Sequence, residues 1–307
     1  MLSKPASTIR FRRLLLTGAA GNLGRELRPR LKAYCDTLRL SHRRDLGAAA
    51  EGEEIVIAAL EDAGAMLALL EGVDAVVHMG GVSTEQPWQA ILAGNIVGAC
   101  NVYEAARKNG VKRIVFASSN HVTGFYRQDQ VVSPRDPVRP DGFYGLSKAF
   151  GENLAQLYWD KHGIETVSLR IGSSYAEPKD RRILASWMSF DDTERLIVAA
   201  LTAPVVGHTV IYGMSDNATT WWDNTPARHI GYRPQDSSDA YRAAVEARQP
   251  TLDAKDPAVI YQGGALRAQV EIRTTEQKQA VAAYASAGQR AFGEVENALS
   301  AENALRD

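Results

Sequence analysis

The stretch "RRLLLTGAAGNLG", residues 12–24, decides the fold of this chain. The apolar run Leu14–Leu16 ends in Thr17, and a glycine pattern, T-G-x-x-G-x-x-G, follows at once. Its glycines are Gly18, Gly21 and Gly24. Between a buried strand and a helix, such a loop lets backbone approach a pyrophosphate, and the helix N-terminus supplies free N–H groups and positive potential. The stretch predicts a dinucleotide-binding loop.

Outward from this loop, short apolar runs alternate with amphipathic stretches. Strands are predicted at residues 12–17, 37–41, 54–58, 74–79, 113–118 and 165–171, and helices near 24–31, 63–70, 88–108 and 141–162. Apolar strands separated by helices are typical of a parallel sheet covered on both faces. The sequence therefore predicts an α/β fold of the Rossmann type, a doubly wound parallel sheet.

Four segments are predicted along the chain. They are an N-terminal extension (1–11), a dinucleotide-binding domain (12–172), a small C-terminal substrate lobe (173–265) and a helical tail (266–307). The lobe should contain a helix near 191–202, a strand at 209–213 and a helix near 238–247. In the alanine-rich tail, Val281, Tyr284 and Phe292 belong to an apolar stripe at helical spacing. Such a stripe favours packing on the body or on a partner subunit, so we expect a homo-oligomer.

Composition excludes several other functions. The formal net charge is −1 over 307 residues, so neither a nucleic-acid surface nor a membrane surface is indicated. Two distant cysteines, Cys35 and Cys100, and six scattered histidines give no disulfide framework and no metal-ligand spacing. We expect a soluble cytoplasmic protein without a metal.

The end of the second predicted strand bears on the choice of cofactor. An NAD site usually has Asp or Glu there, accepting hydrogen bonds from the ribose. This chain has His42, followed by Arg43 and Arg44, which suit a 2′-phosphate. The alternative is that the arginines are solvated and Asp45 reaches the ribose. The pattern favours NADP slightly and leaves NAD open.

Two Tyr-x-x-x-Lys sequences are candidates for acid–base chemistry. Tyr175 and Lys179 enclose Pro178, which disfavours a helix between them. Tyr144 and Lys148 lie among good helix formers, with Asp141 as the expected N-cap, so both side chains should project from one face.

The second of these pairs has the chemistry that a dehydrogenase needs. An ammonium beside the Tyr144 phenol, together with an oxidised nicotinamide ring, should lower the phenol pKa from about 10. Tyr144 would then remove a hydroxyl proton while hydride leaves the same carbon. Lys148 would also hold the cofactor ribose. Ser119, at the end of the strand "RIVFASS", would donate a hydrogen bond to the reacting oxygen.

These residues resemble the extended short-chain dehydrogenase/reductase family and, more closely, the bacterial uronate dehydrogenases. The matching segments cover roughly residues 12–264 and are "RLLLTGAAGNLGR", "HMGGVS", "GNIVGACNVYEAAR", "RIVFASSNHVTGFY", "RPDGFYGLSKAFGENLA", "LRIGSSYAEP" and "WWDN". The resemblance implies oxidation of C1 of a hexuronate, glucuronate or galacturonate, to an aldarolactone.

The resemblance also implies roles for individual residues. Tyr144 is the base, with Lys148, Ser119 and Asn95 completing the catalytic set; Asn95 supports the active-site helix and a water relay. The cofactor contacts fall on Gly18, Gly21, Asn22, Leu23, Gly24, His42, Arg43, Arg44, Leu60, Gly80, Gly81, Tyr144, Lys148 and Ile171. The substrate contacts fall on Ser83, Ser119, Asn120, His121, Ser173 and Arg182, where Arg182 would bind the sugar carboxylate in a bidentate manner.

Other functions compete with this interpretation. A sulfosugar or neutral-aldose 1-dehydrogenase would use the same chemistry, and Arg182 would suit the sulfonate of sulfoquinovose. A nucleotide-sugar epimerase or reductase is disfavoured because the lobe after Gly172 is short. A scaffold or redox sensor without catalysis is disfavoured by the retained Tyr144, Lys148 and Ser119.

Overall fold

The computed structural model of the protein describes residues 10–249 and 252–264. All of them fall within one compact unit. Most of the predicted N-terminal extension lies outside the described residues, as do the predicted helical tail and its part in oligomer formation. The predicted division into two domains at residue 172 stays a prediction.

A seven-stranded parallel sheet forms the centre of the described structure. Its strands are β1 (Phe11–Thr17), β2 (Cys35–His42), β3 (Glu53–Ile57), β4 (Ala75–His78), β5 (Arg113–Ser119), β6 (Glu165–Ile171) and, after two short strands, β9 (His208–Gly213). The two-residue strands β7 (Ser173–Ser174) and β8 (Trp187–Met188) pair with each other. The order is β3-β2-β1-β4-β5-β6-β9, with every neighbouring pair parallel. This is the predicted doubly wound sheet. The order in which successive strands are added reverses between β1 and β4, although all strands run in the same direction.

Helices cover both faces of this sheet. They are α1 (Asn22–Leu31), α2 (Ala63–Leu69), α3 (Trp88–Ile91), α4 (Gly98–Lys108), α5 (Phe143–His162), α6 (Arg181–Ser186), α7 (Phe190–Thr202), α8 (Arg242–Arg248) and α9 (Pro257–Ile260). Short 3₁₀ turns lie at Lys32–Tyr34, Asn120–Thr123, Thr225–Ile230 and Ser238–Tyr241. None of the helices within the described ranges is both long and apolar enough to span a bilayer.

Strand β1 shows why these strands are almost wholly apolar. Leu14 and Leu16 point into a core with α1 and α7, whereas Leu15 points into the opposite core with α2 and α4. All three are completely buried. Because successive side chains of a strand alternate between faces, a sheet covered on both sides needs apolar residues at every position. Each such leucine contributes about 1.5–3 kcal/mol to folding.

Two predicted helices differ from the structure in their internal form. The predicted helix 88–108 is continuous in direction, but Leu92–Val97 between α3 and α4 is a π-helical turn. The predicted helix 238–247 begins as the 3₁₀ turn Ser238–Tyr241 and becomes α-helical only at Arg242. π-Helical turns are frequent at functional sites, and Asn95 lies in the middle of this one.

Candidate active site

The glycine loop has the geometry that a pyrophosphate site needs. Gly18 has a φ of +70°, and a Cβ there would lie 2.6 Å from the carbonyl carbon of Met79. A Cβ on Gly24 would lie 2.2 Å from the Gly18 carbonyl oxygen, so strand and helix can pack closely only with glycine at this position. Gly21 caps α1, whose first residues are Asn22 and Leu23, and first-turn N–H groups have no partner within a helix. These residues fit a dinucleotide phosphate.

A cavity of about 390 Å³ lies beside this loop. It is lined by Ala19, Ala20, Arg25, Arg28, Asp45 and Leu46. Arg43 and Arg44 are exposed and are not among the lining residues, whereas Asp45 is. His42, at the end of β2, accepts a hydrogen bond from the Arg44 backbone N–H at Nδ1. The preference for NADP expected from His42, Arg43 and Arg44 therefore finds no support in this geometry.

The loop after β4 lies directly beside the glycine loop. The Thr17 hydroxyl accepts a hydrogen bond from the Gly80 backbone N–H (3.1 Å) and contacts His78 Nδ1 (2.7 Å). A Cβ on Gly80 would lie 3.0 Å from Leu60 Cδ1, so Gly80 and Leu60 are neighbours. Gly81 has a φ of +124°. The structure thus brings Gly80, Gly81 and Leu60 together beside the point between β1 and β4 where the strand order reverses.

Asn95 connects this loop to the helix that carries Tyr144. Its side-chain oxygen accepts a hydrogen bond from the Val82 N–H (2.7 Å), and its amide donates to the Val82 carbonyl (3.1 Å) and to Ser147 Oγ (2.9 Å). The Ser147 hydroxyl donates to the Tyr144 carbonyl (2.7 Å). Asn95 is 5% exposed. The side chain therefore supports α5, as the sequence resemblance implied, without touching Tyr144 or Lys148 through a hydrogen bond.

Tyr144 and Lys148 lie on one face of α5, as predicted. The Lys148 ammonium is 5.7 Å from the centre of the Tyr144 ring and donates a hydrogen bond to the Ala117 carbonyl of β5 (2.8 Å). The Ser119 side chain, at the end of β5, lies close enough to the Tyr144 phenol to influence its pKa. The other pair is not helical: Tyr175 lies in a bend and is 37% exposed, with the Lys179 ammonium 4.0 Å from its ring centre.

Burial dominates the electrostatics of Tyr144 and Lys148 in the protein without cofactor. Burial raises the pKa of Tyr144 to about 12, and the hydrogen bond with Ser119 opposes this increase. Burial also lowers the pKa of Lys148 from 10.5 to about 8. In the protein without cofactor, burial is therefore the larger effect on the phenol pKa. The expected lowering, which included an oxidised nicotinamide ring, stays a prediction. A phenolate needs a further positive charge close to Tyr144.

The N-terminus of α5 is capped by a residue distant in sequence. The Glu85 carboxylate accepts hydrogen bonds from the backbone N–H groups of Phe143 (3.1 Å) and Tyr144 (2.9 Å). The N-cap position is Gly142, and no side-chain cap bond comes from it. The prediction that Asp141 caps this helix is therefore wrong. A carboxylate at this end is favourable because the first N–H groups of a helix are free and carry partial positive charge.

The predicted substrate residues lie at the carboxyl ends of β4, β5 and β6 and in the lobe. Asn120 is 4% exposed, and its side-chain amide nitrogen has no hydrogen-bond partner within the described part of the chain. Ser83 is exposed on the loop after β4, and Ile171 pairs with Ser119 in the sheet. Ser173 is buried with its hydroxyl 3.0 Å from Ser186 Oγ. A buried amide without a partner is costly, so Asn120 is the member of this group whose surroundings best fit a polar ligand.

The His121 ring contacts the Tyr144 ring. Its ring packs edge-on against the Tyr144 ring, with the ring centres 5.6 Å apart. Its Nδ1 lies 2.7 Å from the Asp141 carboxylate. The sequence-based reasoning assigned His121 as a substrate contact but did not find its partner, since Asp141 was assigned to the helix cap.

Arg182 is a guanidinium without a carboxylate partner. Its Nη1 donates to the Gln262 carbonyl (3.0 Å), and no carboxylate within residues 10–249 and 252–264 lies within 4.0 Å of it. Burial lowers the pKa of Arg182, and Asp141 is among the charges that oppose this. The same carboxylate acts on Tyr144, whose pKa it helps to raise. Arg181, beside it, instead pairs with Glu246. An incoming carboxylate would therefore stabilise Arg182.

A buried ion pair lies on the same face of α5 as Tyr144 and Lys148. Arg170 on β6 donates two hydrogen bonds of 2.9 Å to Glu152, and Ser118 donates a third of 2.6 Å to the same carboxylate. Arg170 also donates to the Tyr212 hydroxyl (3.2 Å). Glu152 lies one turn after Lys148, so this network fixes the helix against the ends of β5 and β6. No local sequence pattern indicated it.

Comparison with known proteins agrees with this geometry. Residues 14–208 match the NAD dependent epimerase/dehydratase family. The chain is 56% identical over 260 residues to the uronate dehydrogenase of Pseudomonas putida, an alignment that spans 84% of this chain and 97% of that protein.

Solved structures give the same result. The crystal structure of glucuronic acid dehydrogenase from Chromohalobacter salexigens is 49% identical, with a TM-score of 0.84 over 86% of this chain and all of that one. A mutant uronate dehydrogenase from Agrobacterium tumefaciens, complexed with NAD, is 47% identical, with a TM-score of 0.82 over 83% of this chain and 96% of that one. With more than half of its length matched, the chain belongs to the NAD dependent epimerase/dehydratase family.

Proposed function

We propose that this chain is a sugar-acid dehydrogenase that oxidises C1 of a hexuronate, glucuronate or galacturonate, to an aldarolactone. Its relatives named uronate dehydrogenase or glucuronic acid dehydrogenase are 47–56% identical over most of the chain. The observation that carries the proposal is the Arg182 guanidinium, which has no carboxylate partner within residues 10–249 and 252–264 and which shares with Tyr144 the influence of the Asp141 carboxylate. Burial disfavours the charged form of Arg182, and the negative charge of a bound sugar carboxylate would offset that cost.

The residues of the site divide the chemistry between them. Tyr144 removes the proton from the C1 hydroxyl, and Ser119, which lies close to the Tyr144 phenol, donates to the reacting oxygen. The unpaired Asn120 amide offers a second donor to the sugar. A bound oxidised nicotinamide ring would supply the hydride acceptor and a positive charge that favours phenolate at Tyr144. Lys148, whose ammonium lies 5.7 Å from the centre of the Tyr144 ring, would hold the ribose of that cofactor.

We propose NAD rather than NADP as the cofactor. Asp45 lines the cavity beside the glycine loop, where a carboxylate can accept hydrogen bonds from a ribose. A 2′-phosphate in the same cavity would be repelled by Asp45, although Arg25 and Arg28 also line it. The comparison of NAD with NADP is part of the first experiment.

That experiment is an initial-rate screen that follows the absorbance of reduced nicotinamide. It uses glucuronate, galacturonate, a neutral aldose and sulfoquinovose, each with NAD and with NADP. The expected result is turnover of the uronates with NAD. Faster turnover of the neutral aldose or of the sulfonate would overturn the substrate assignment, and faster turnover with NADP would overturn the cofactor assignment.

The role of Tyr144 is tested by Tyr144→Phe. Loss of a positioned base should lower kcat by about 10²–10⁴-fold. Binding of reduced cofactor, measured by its fluorescence, should be retained. The matched control is Tyr175→Phe, in the Tyr-x-x-x-Lys sequence that is not helical, which should leave kcat unchanged. Equal kcat for Tyr144→Phe and the parent chain would refute the proposed base.

A further inference from the structure

His121 and Asp141 form a close contact beside Tyr144. His121 lies in the 3₁₀ turn Asn120–Thr123 that follows β5, and Asp141 lies just before α5. The Asp141 side chain is 5% exposed and the His121 side chain 36% exposed, so the carboxylate is enclosed and the imidazole is partly open. The Asp141 backbone N–H also donates to the His121 carbonyl (3.4 Å). Two contacts therefore join these residues.

Glycines make the space that the carboxylate occupies. A Cβ on Gly124 would lie 2.0 Å from Asp141 Oδ2, and a Cβ on Gly263 would lie 1.8 Å from the same atom. A Cβ on Gly145 would lie 3.3 Å from the other carboxylate oxygen. These glycines come from three separate segments of the chain. Together they keep the carboxylate in one place, directed at the imidazole.

We propose that Asp141 is a positioning residue that fixes the proton of His121 on Nδ1 and so presents Nε2 as a hydrogen-bond acceptor to a hydroxyl of the sugar. An ionised carboxylate can only accept hydrogen bonds, so Nδ1 must carry the proton in this contact. Within residues 10–249 and 252–264, no protein group is hydrogen-bonded to Nε2. The inference rests on the proposed function, because it takes His121 as a substrate contact.

The arrangement gives the site a defined set of donors and acceptors. Asn120 and Ser119 offer donors, Arg182 offers donors with a full charge, and His121 Nε2 offers a lone pair. A polyhydroxylated sugar acid needs both kinds of partner, since each hydroxyl donates as well as accepts. Besides His121, Asp141 interacts electrostatically with the Tyr144 phenol of α5 and the Arg182 guanidinium of α6. An imidazole free to exchange between its two tautomers would present an N–H donor, instead of an acceptor, to the sugar for part of the time.

The decisive measurement is the tautomer of His121 in the unmodified chain. The full-length protein is labelled with ¹⁵N-histidine, and the signals of the six rings are recorded by long-range proton–nitrogen correlation at pH 8.5. The His121 ring is identified as the signal that His121→Gln removes. A protonated Nδ1 with a bare Nε2 supports the proposal, and a bare Nδ1 or a protonated Nε2 overturns it. This measurement needs no turnover, so it is independent of the proposed function.

The Asp141→Asn variant tests the consequence for the substrate. An amide can either accept from Nδ1–H or donate to a bare Nδ1, so the His121 signal should change towards the Nε2–H tautomer. The kcat/KM for a hexuronate should fall about tenfold, the effect of one lost hydrogen bond. The KM for NAD should stay the same.

The matched control is Asp160→Asn, the same chemical change at an exposed position of α5. It should change neither the tautomer nor kcat/KM. An Asp141→Asn variant with the parent tautomer and the parent kcat/KM would overturn the proposal. If that variant does not fold, the spectrum of the parent chain decides. Absence of uronate turnover in the parent chain would instead refute the proposed function and leave the tautomer assignment standing.

Discussion

The Glu152→Gln substitution should destabilise the protein strongly. Glu152 and Arg170 side chains are 6% and 3% exposed and share two hydrogen bonds of 2.9 Å. Removing the charge leaves the buried Arg170 guanidinium without a counter-ion, and the Gln amide can accept only one of the two hydrogen bonds that the carboxylate accepts. Breaking a buried pair in this way costs about 3–5 kcal/mol in the free energy of unfolding. For a domain of this size the melting temperature should fall by about 6–20 °C.

The assay is urea unfolding followed by circular dichroism, with linear extrapolation and a check that the m-value does not change. Glu51→Gln, the same change in an exposed turn, is the matched control and should shift the free energy of unfolding by less than about 0.5 kcal/mol. A Glu152→Met/Arg170→Met double variant should lose less than the sum of the two single variants, because no uncompensated charge remains. A loss for Glu152→Gln as small as that for Glu51→Gln would refute the reasoning.

Two further predictions concern the charged groups of the site. Arg182→Ala should raise the KM for glucuronate about 10–100-fold through loss of charge-assisted hydrogen bonds, with little effect on a neutral aldose; initial rates measure this, and an equal effect on both sugars would exclude the carboxylate contact. Lys148→Met should raise the free energy of unfolding, relative to the parent chain, more at pH 7 than at higher pH. Burial lowers the Lys148 pKa from 10.5 to about 8 in the folded state, so at pH 7 the parent chain carries a buried and unfavourable charge there. As the pH rises from 8 to 10.5 the unfolded chain binds the extra proton, so the parent chain should gain roughly 3 kcal/mol relative to the variant in urea unfolding. A pH-independent difference would contradict the buried ammonium.

The parts of the fold that the sequence predicted well are those that local patterns determine. Apolar runs bounded by turns identified the six strands of the first 171 residues, and the glycine spacing located the phosphate loop. Pro178 correctly separated the two Tyr-x-x-x-Lys sequences. Each of these signals lies within a few residues of the feature that it predicts.

The contacts that the sequence missed join distant positions. Glu85 caps α5 from 58 residues away, and this left Asp141 free to contact His121, 20 residues before it. The effect of burial on the Tyr144 pKa was missed because a pair of charges can be read from spacing, whereas the depth of burial depends on how β5, α5 and the following turn pack together. The NADP preference found no support for a similar reason: a basic sequence does not show which side chains point into the cavity.

Because of the π-helical turn at Leu92–Val97, the position of Asn95 depends on the exact number of residues in this stretch. In an ordinary α-helix each residue advances about 100° around the axis. Deleting one residue here would restore regular winding and rotate Trp88 relative to α4, or carry Asn95 away from Val82 and Ser147. Substitutions along this stretch should therefore be accepted more readily than insertions or deletions.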